Sequence, residues 1–130
     1  MARHVFTFEK PYEEFEVNGK VYQVHYDDDS MESYRKQALV YKNGVEQFIT
    51  VDLDQISAEE QEELKENAEK LTTDLIEMFF GKGTFNEIYE VSGRSYINVS
   101  NLLRFMFDWV NTKIGNLEQI KKDYYTAIKK

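Results

Sequence analysis

The chain has no cysteine, a single proline and only 6 glycines in 130 residues, and each scarcity removes a class of protein. Without cysteine there is no disulfide framework and no thiolate zinc site, which fits a reducing compartment such as the cytoplasm. With one proline, Pro11, there is no Pro/Gly-rich linker. No repeat or low-complexity stretch occurs either, so residues 1–130 read as one domain. No apolar run approaches the roughly 20 residues of a membrane span. The opening Met1-Ala2-Arg3-His4 lacks an apolar h-region, so no signal peptide is expected. Positive charge is also scarce. The net charge of −8 disfavours nucleic acid and anionic membrane as partners, because both repel an acidic surface.

That charge is unevenly spread. Residues 1–74 hold 18 Asp/Glu against 8 Lys/Arg, whereas residues 75–130 hold 6 against 8. A solvated coat is the plainer reading of the acidic half, and a surface for a basic partner is the sharper one.

Local pattern gives an α+β fold: an N-terminal antiparallel β-hairpin or small sheet packed with three to four helices. Asn18-Gly19 sits between two alternating runs, as a two-residue type I′ turn requires. Pairing about it sets Val17 opposite Lys20, Phe15 opposite Tyr22 and Glu13 opposite Val24. Phe15, Val17, Tyr22, Val24 and Tyr26 then share one face. Val5–Phe8 offer a further short strand. Asp29 and Glu32 have capping-box spacing for a first helix carrying Met31, Tyr34, Ala38 and Tyr41, which Asn43-Gly44 should stop. Val45–Leu53 reads either as a third strand or as a buried connecting loop. Ser57 with Glu60 opens a strong helix with the stripe Leu64, Ala68, Leu71, Leu75 and Met78, ended by Gly81. Thr84 with Glu87 opens a short helix to about Glu90. Ser92–Ser95 form a loop, and a last helix starts after Ser100 or Asn101. Its apolar face passes a break expected at Gly115 and continues through Leu117, Ile120, Tyr124 and Ile128.

The residues offer no catalytic constellation. Gly81-Lys82-Gly83-Thr84 lacks the Walker spacing and follows a helix, so a C-cap followed by an N-cap explains both glycines. Asp27-Asp28-Asp29 starts like a calcium loop but carries Glu32 where glycine is needed, which leaves a capping role. His25, near Asp27 and Glu14, is the one place a metal could be entertained. It has no i, i+4 histidine partner, so no metal or cofactor is expected. The carboxylates sit mostly on outer helix faces, where raised pKa values do not arise.

Aromatic residues are more telling. Adjacent pairs such as Phe79-Phe80 and Tyr124-Tyr125 do not easily share one core. Most aromatics should be core, and the rest should form an apolar patch for a partner protein or for self-association. The candidates are Phe80, Phe85, Phe105 and Tyr125.

The run Phe79-Phe80-Gly81-Lys82-Gly83-Thr84, then Ile88-Tyr89, then Asn101-Leu102-Leu103 leading to Phe107, resembles a family of small proteins from phages and prophages of Gram-positive bacteria. The upstream Phe15-Glu16-Val17-Asn18-Gly19-Lys20-Val21-Tyr22 hairpin is similar to the opening of many siphophage tail assembly chaperones. The resemblance covers most of the chain, with its motifs in residues 75–110. It departs at Val45–Leu53 and in the loop Val91–Tyr96. It implies a cytoplasmic binding protein, not an enzyme, that holds the tape measure protein and the major tail protein during tail assembly. A structural tail or head–tail connector subunit, or an acidic phage-encoded regulator of a host protein, are the alternatives.

Overall fold

A computed structural model describes residues 1–128, with the side chains of residues 45–49 and 128 set aside. The fold is α+β: strands β1 (Tyr12–Val17) and β2 (Lys20–His25), then helices α1 (Asp28–Thr50), α2 (Ala58–Phe80), α3 (Phe85–Val91) and α4 (Tyr96–Ile128), with a 3₁₀ turn at Leu53–Gln55. Among the described residues the sheet holds two strands.

The hairpin forms in the expected register. Val17 faces Lys20, Phe15 faces Tyr22 and Glu13 faces Val24. Asn18 and Gly19 take φ of 46° and 91°, the two positive values that a type I′ turn demands. Alternation then does its work: Tyr22 and Val24 are buried while Val21, Gln23 and His25 lie outside. Val5–Phe8 add no strand. They form an irregular, exposed arm in which the Phe6 and Phe8 rings meet edge to face at 4.8 Å.

Two helix boundaries differ from the pattern for identifiable reasons. α1 is capped by Asp27, not Asp29: Asp27 accepts from the Ser30 amide at 3.2 Å and from its hydroxyl at 2.7 Å. Glu32 is drawn instead to Arg35 at 2.9 Å. α1 also runs through Asn43-Gly44 to Thr50, which removes both the third strand and the buried loop as readings of its continuation. The side chains of Val45, Phe48 and Ile49 lie outside the described residues. Packing overrides the stop signal at Gly44: a Cβ there would meet the Leu71 side chain at 3.1 Å, so glycine lets α1 and α2 approach closely.

α2 begins as expected, the Glu60 amide donating to Ser57 Oγ at 3.1 Å. It ends at Gly81, whose φ of 116° suits glycine alone. The Thr84 and Glu87 box does not form. Thr84 donates its hydroxyl to the Gly81 carbonyl at 2.6 Å, and Glu87 reaches away to the hairpin. α4 begins at Tyr96, earlier than the Ser100 or Asn101 start, because Ser95 accepts from the Asn98 amide at 3.2 Å. No break occurs at Gly115, and the helix is continuous to Ile128.

The core lies where α1, α2 and α4 meet, with the hairpin and α3 closing its side. Its fully enclosed members include Val24, Leu75, Ile76, Val99, Leu103, Met106 and Val110. Ring contacts set the helix directions. Tyr34 lies on Phe79 and Gly44 on Leu71, so α1 and α2 are antiparallel. Tyr96 senses Glu69 and Phe107 meets Phe79, so α4 runs parallel to α2. The consequence is a molecule with two ends. At one, α1 and α2 pass beyond the start of α4. At the other, α4 runs on past the open end of the hairpin. No described helix is long and apolar enough to cross a membrane.

Candidate protein-binding surface

The four aromatic candidates divide. Phe80 and Phe85 are buried, at 7% and 8% exposed, which takes them out of any surface patch. Phe79 and Phe80 both reach the core because α2 is packed on two sides. Phe79 turns to Tyr34 of α1 and Phe107 of α4, and Phe80 to Tyr22 of the hairpin at 5.2 Å. Phe85 stacks on Tyr89 at 5.6 Å. Phe105 and Tyr125 are open to solvent, at 60% and 61%. They do not form one patch. They stand 20 residues apart on α4, about 30 Å at 1.5 Å per residue. Phe105 lies edge-on to Phe15 of the hairpin, whereas Tyr125 lies on the projecting end of α4 beside Tyr124.

That projecting end is the surface the structure singles out. Leu103, Phe107, Val110 and Ile114 recur at steps of four and three and pack into the core. Leu117, Lys121 and Tyr124 continue the same spacing, so one seam runs the length of α4. Burial stops at its middle. Leu103 and Val110 are 0% exposed, while Leu117, Ile120 and Tyr124 are 54%, 65% and 63% exposed. From Gly115 to Ile128 the tail extends about 21 Å. A stripe of this kind, flanked by charge, is what an amphipathic partner helix takes as its counterpart.

The base of the tail is held firmly. Trp109 donates its indole N–H to Glu13, and Lys113 lies 3.3 Å from the same carboxylate. Lys113 also stands 4.5 Å over the Tyr26 ring, a cation–π contact. The apolar stripe is therefore presented at a fixed angle. The N-terminal arm leaves the body nearby, since Pro11 accepts from the Tyr26 amide at 2.7 Å. Val5, Phe6 and Phe8 on it are 78–85% exposed.

A second feature is polar. At the hairpin turn, Lys20 lies 2.6 Å from Glu87 and the Tyr22 hydroxyl donates to the same carboxylate. Asn18 adds a bond to the Val91 carbonyl at 3.3 Å. A shallow cleft of about 160 Å³ opens here, lined by Val17, Lys20, Tyr22, Glu87 and Ile88 among others. Burial, then the bond to Glu87, pushes the Tyr22 hydroxyl up to about 12. The bonds from Lys20 and Tyr22 hold Glu87 below the usual carboxylate range. Each group is thereby locked in its ordinary neutral-pH form, tyrosine protonated and glutamate ionised. Proton transfer near neutral pH calls for the opposite tuning, so the cluster reads as a clamp tying the hairpin to α3.

Gly81-Lys82-Gly83-Thr84 forms a turn closed on itself. The Gly83 amide donates to the Glu77 carboxylate at 2.9 Å and that of Gly81 to the Glu77 carbonyl at 3.0 Å. His25 lies against the Tyr12 ring at 5.8 Å. Among the described residues no three His, Asp or Glu side chains gather as a metal site would need.

No protein-family model, curated protein or solved structure matches this chain.

Proposed function

We propose that the chain is a protein-binding assembly factor of the tail assembly chaperone type. In this reading it acts in the bacterial cytoplasm, holding the helical tape measure protein and recruiting tail tube subunits. The observation that carries the reading is the uncovered half of the α4 seam, Leu117, Ile120 and Tyr124, on a helix whose other half is fully packed. A long helical client exposes amphipathic segments until its own assembly is complete, and a rigid apolar stripe gives such a segment a surface to pair with. The acidic body keeps the complex in solution and disfavours nucleic acid. The motif run Phe79–Thr84 and the Asn101-Leu102-Leu103 start support the same reading by resemblance alone.

Co-expression with a tape measure protein is the test. The expected result is a soluble complex that co-purifies and that the triple substitution Leu117→Ser, Ile120→Ser, Tyr124→Ser abolishes. An unchanged client solubility with no co-purification overturns the reading. Recovery of the chain in stoichiometric amount from finished particles would replace it with a structural subunit.

A further inference from the structure

The two ends of the molecule differ in a way that makes each suitable for the other. At the α1–α2 end, residues 52–70 carry eight carboxylates and two lysines. With Gly44 on Leu71 and Phe79 on Phe107, the first two turns of α2, Ala58–Leu64, extend past both the end of α1 and the start of α4. Glu62 lies two turns ahead of Glu69 on the same face of α2, the face that meets α4 farther along. Apolar surface is also open there: Leu53 is 49% exposed, and Ile56 and Leu64 are half-buried. At the opposite end, the α4 tail offers the stripe of Leu117, Ile120 and Tyr124 with exposed Lys121 within it and Lys122 beside it. Residues 115–130 hold four lysines against Glu118 and Asp123.

We propose that the α4 tail of one copy docks on the acidic start of α2 in a second copy, along the face of α2 that α4 covers farther on within the body. Opposite charge selects this pairing over the two-fold alternative, tail against tail, which brings together two segments of the same net positive charge. The contact is heterologous, so it propagates copies head to tail into open chains or a closed ring. It also covers the apolar stripe whenever no client is bound. The pairing needs only this chain, whatever the client is.

The full chain without cysteine makes a clean cross-linking background. Tyr124→Cys and Glu62→Cys are made in separate copies, mixed and oxidised. The expected product is a disulfide between the two variants, in excess over either homodimer. Tyr124→Cys homodimers alone would overturn the proposal in favour of tail pairing. Monomers at every concentration in sedimentation, with no cross-link, would overturn self-association altogether. A charge reversal checks the chemistry independently: Lys121→Glu with Lys122→Glu should weaken association about tenfold. Mixing that variant with Glu62→Lys, Glu66→Lys copies should restore it, and failure to restore it counts against the tip as the docking site. Failure of these measurements leaves the tape measure co-expression result untouched, and the reverse holds equally.

Discussion

Leu103→Ala and Leu117→Ala are the same substitution at two points of one helical seam, and the structure gives them opposite consequences. Leu103 is 0% exposed among the buried residues of α1, α2 and α4, whereas Leu117 is 54% exposed on the tail. Truncating a fully packed leucine costs the lost transfer energy plus a cavity term, about 2–5 kcal/mol. For a domain of this size, whose total stability is about 5–15 kcal/mol, that is a large share. Truncating Leu117 removes little packing, and alanine is the slightly better helix former, so the change should stay within about 0.5 kcal/mol.

Urea unfolding followed by circular dichroism separates the two. With m of about 1–3 kcal/mol/M, Leu103→Ala should lower the midpoint by about 1–2 M, and Leu117→Ala should leave it nearly unmoved. The measurement belongs at low protein concentration, where association adds nothing to apparent stability. Equal losses would mean that the tail is folded back on the body. A neutral Leu103→Ala would mean that α4 does not pack as described. Either result refutes the division of the seam into a covered and an uncovered half, and with it the basis for a docking surface.

The clamp at the hairpin turn predicts an alkaline weakness. Tyr22 holds its proton more tightly when folded, with its pKa moved from 10.0 to about 12. Its contribution is thus complete below about pH 10 and is lost as pH rises through about 12. Thermal melts across that window should show a decline that Tyr22→Phe reduces, and an identical decline in both proteins would reject the clamp. Phe80→Ala should cost about 3–5 kcal/mol in the same urea assay. Phe105→Ala, edge-on to Phe15 at 6.1 Å and largely exposed, should cost less than about 1 kcal/mol. Ser57→Ala should remove about 1 kcal/mol through loss of the α2 cap, and amide exchange should locate that loss in the first turn of α2.

What the residues disclosed and what they hid follow from the range of the interactions involved. The hairpin was legible because Asn18 and Gly19 decide the turn locally and alternation decides the face. The Ser57 cap was legible for the same reason, a contact across three residues. Gly44 misled because its role is a close approach to Leu71, a residue far along the chain. Ser95 was passed over for Ser100 and Asn101 because several polar residues could start α4. Only the fold of the Ser92–Ser95 loop, with Ser92 Oγ accepting from the Ser95 amide at 3.2 Å, decides among them. Phe85 is covered by the rings of Tyr89 in α3 and Tyr96 at the start of α4, and Phe80 was placed outside on the assumption that a helix has one buried face. α2 has two, because the hairpin, through Tyr22, covers the side that α1 and α4 leave open.

The uncovered tail is what the apolar pattern alone leaves undecided. Leu117, Ile120 and Tyr124 continue the spacing of buried residues so regularly that periodicity alone assigns them to the same core. Periodicity reports that a face is apolar; it does not report whether anything lies against it. Length could have raised the question. α4 spans 33 residues and α2 spans 23, and a helix about 15 Å longer than its neighbour at 1.5 Å per residue outruns the surface available to cover it. Charge could have sharpened it, since Lys121 falls on the seam itself, at a position an internal core would fill with an apolar side chain. A seam that stays apolar after its own domain has ended, and that admits a lysine there, is patterned for a second surface. The acidic end of the same fold carries the matching charge.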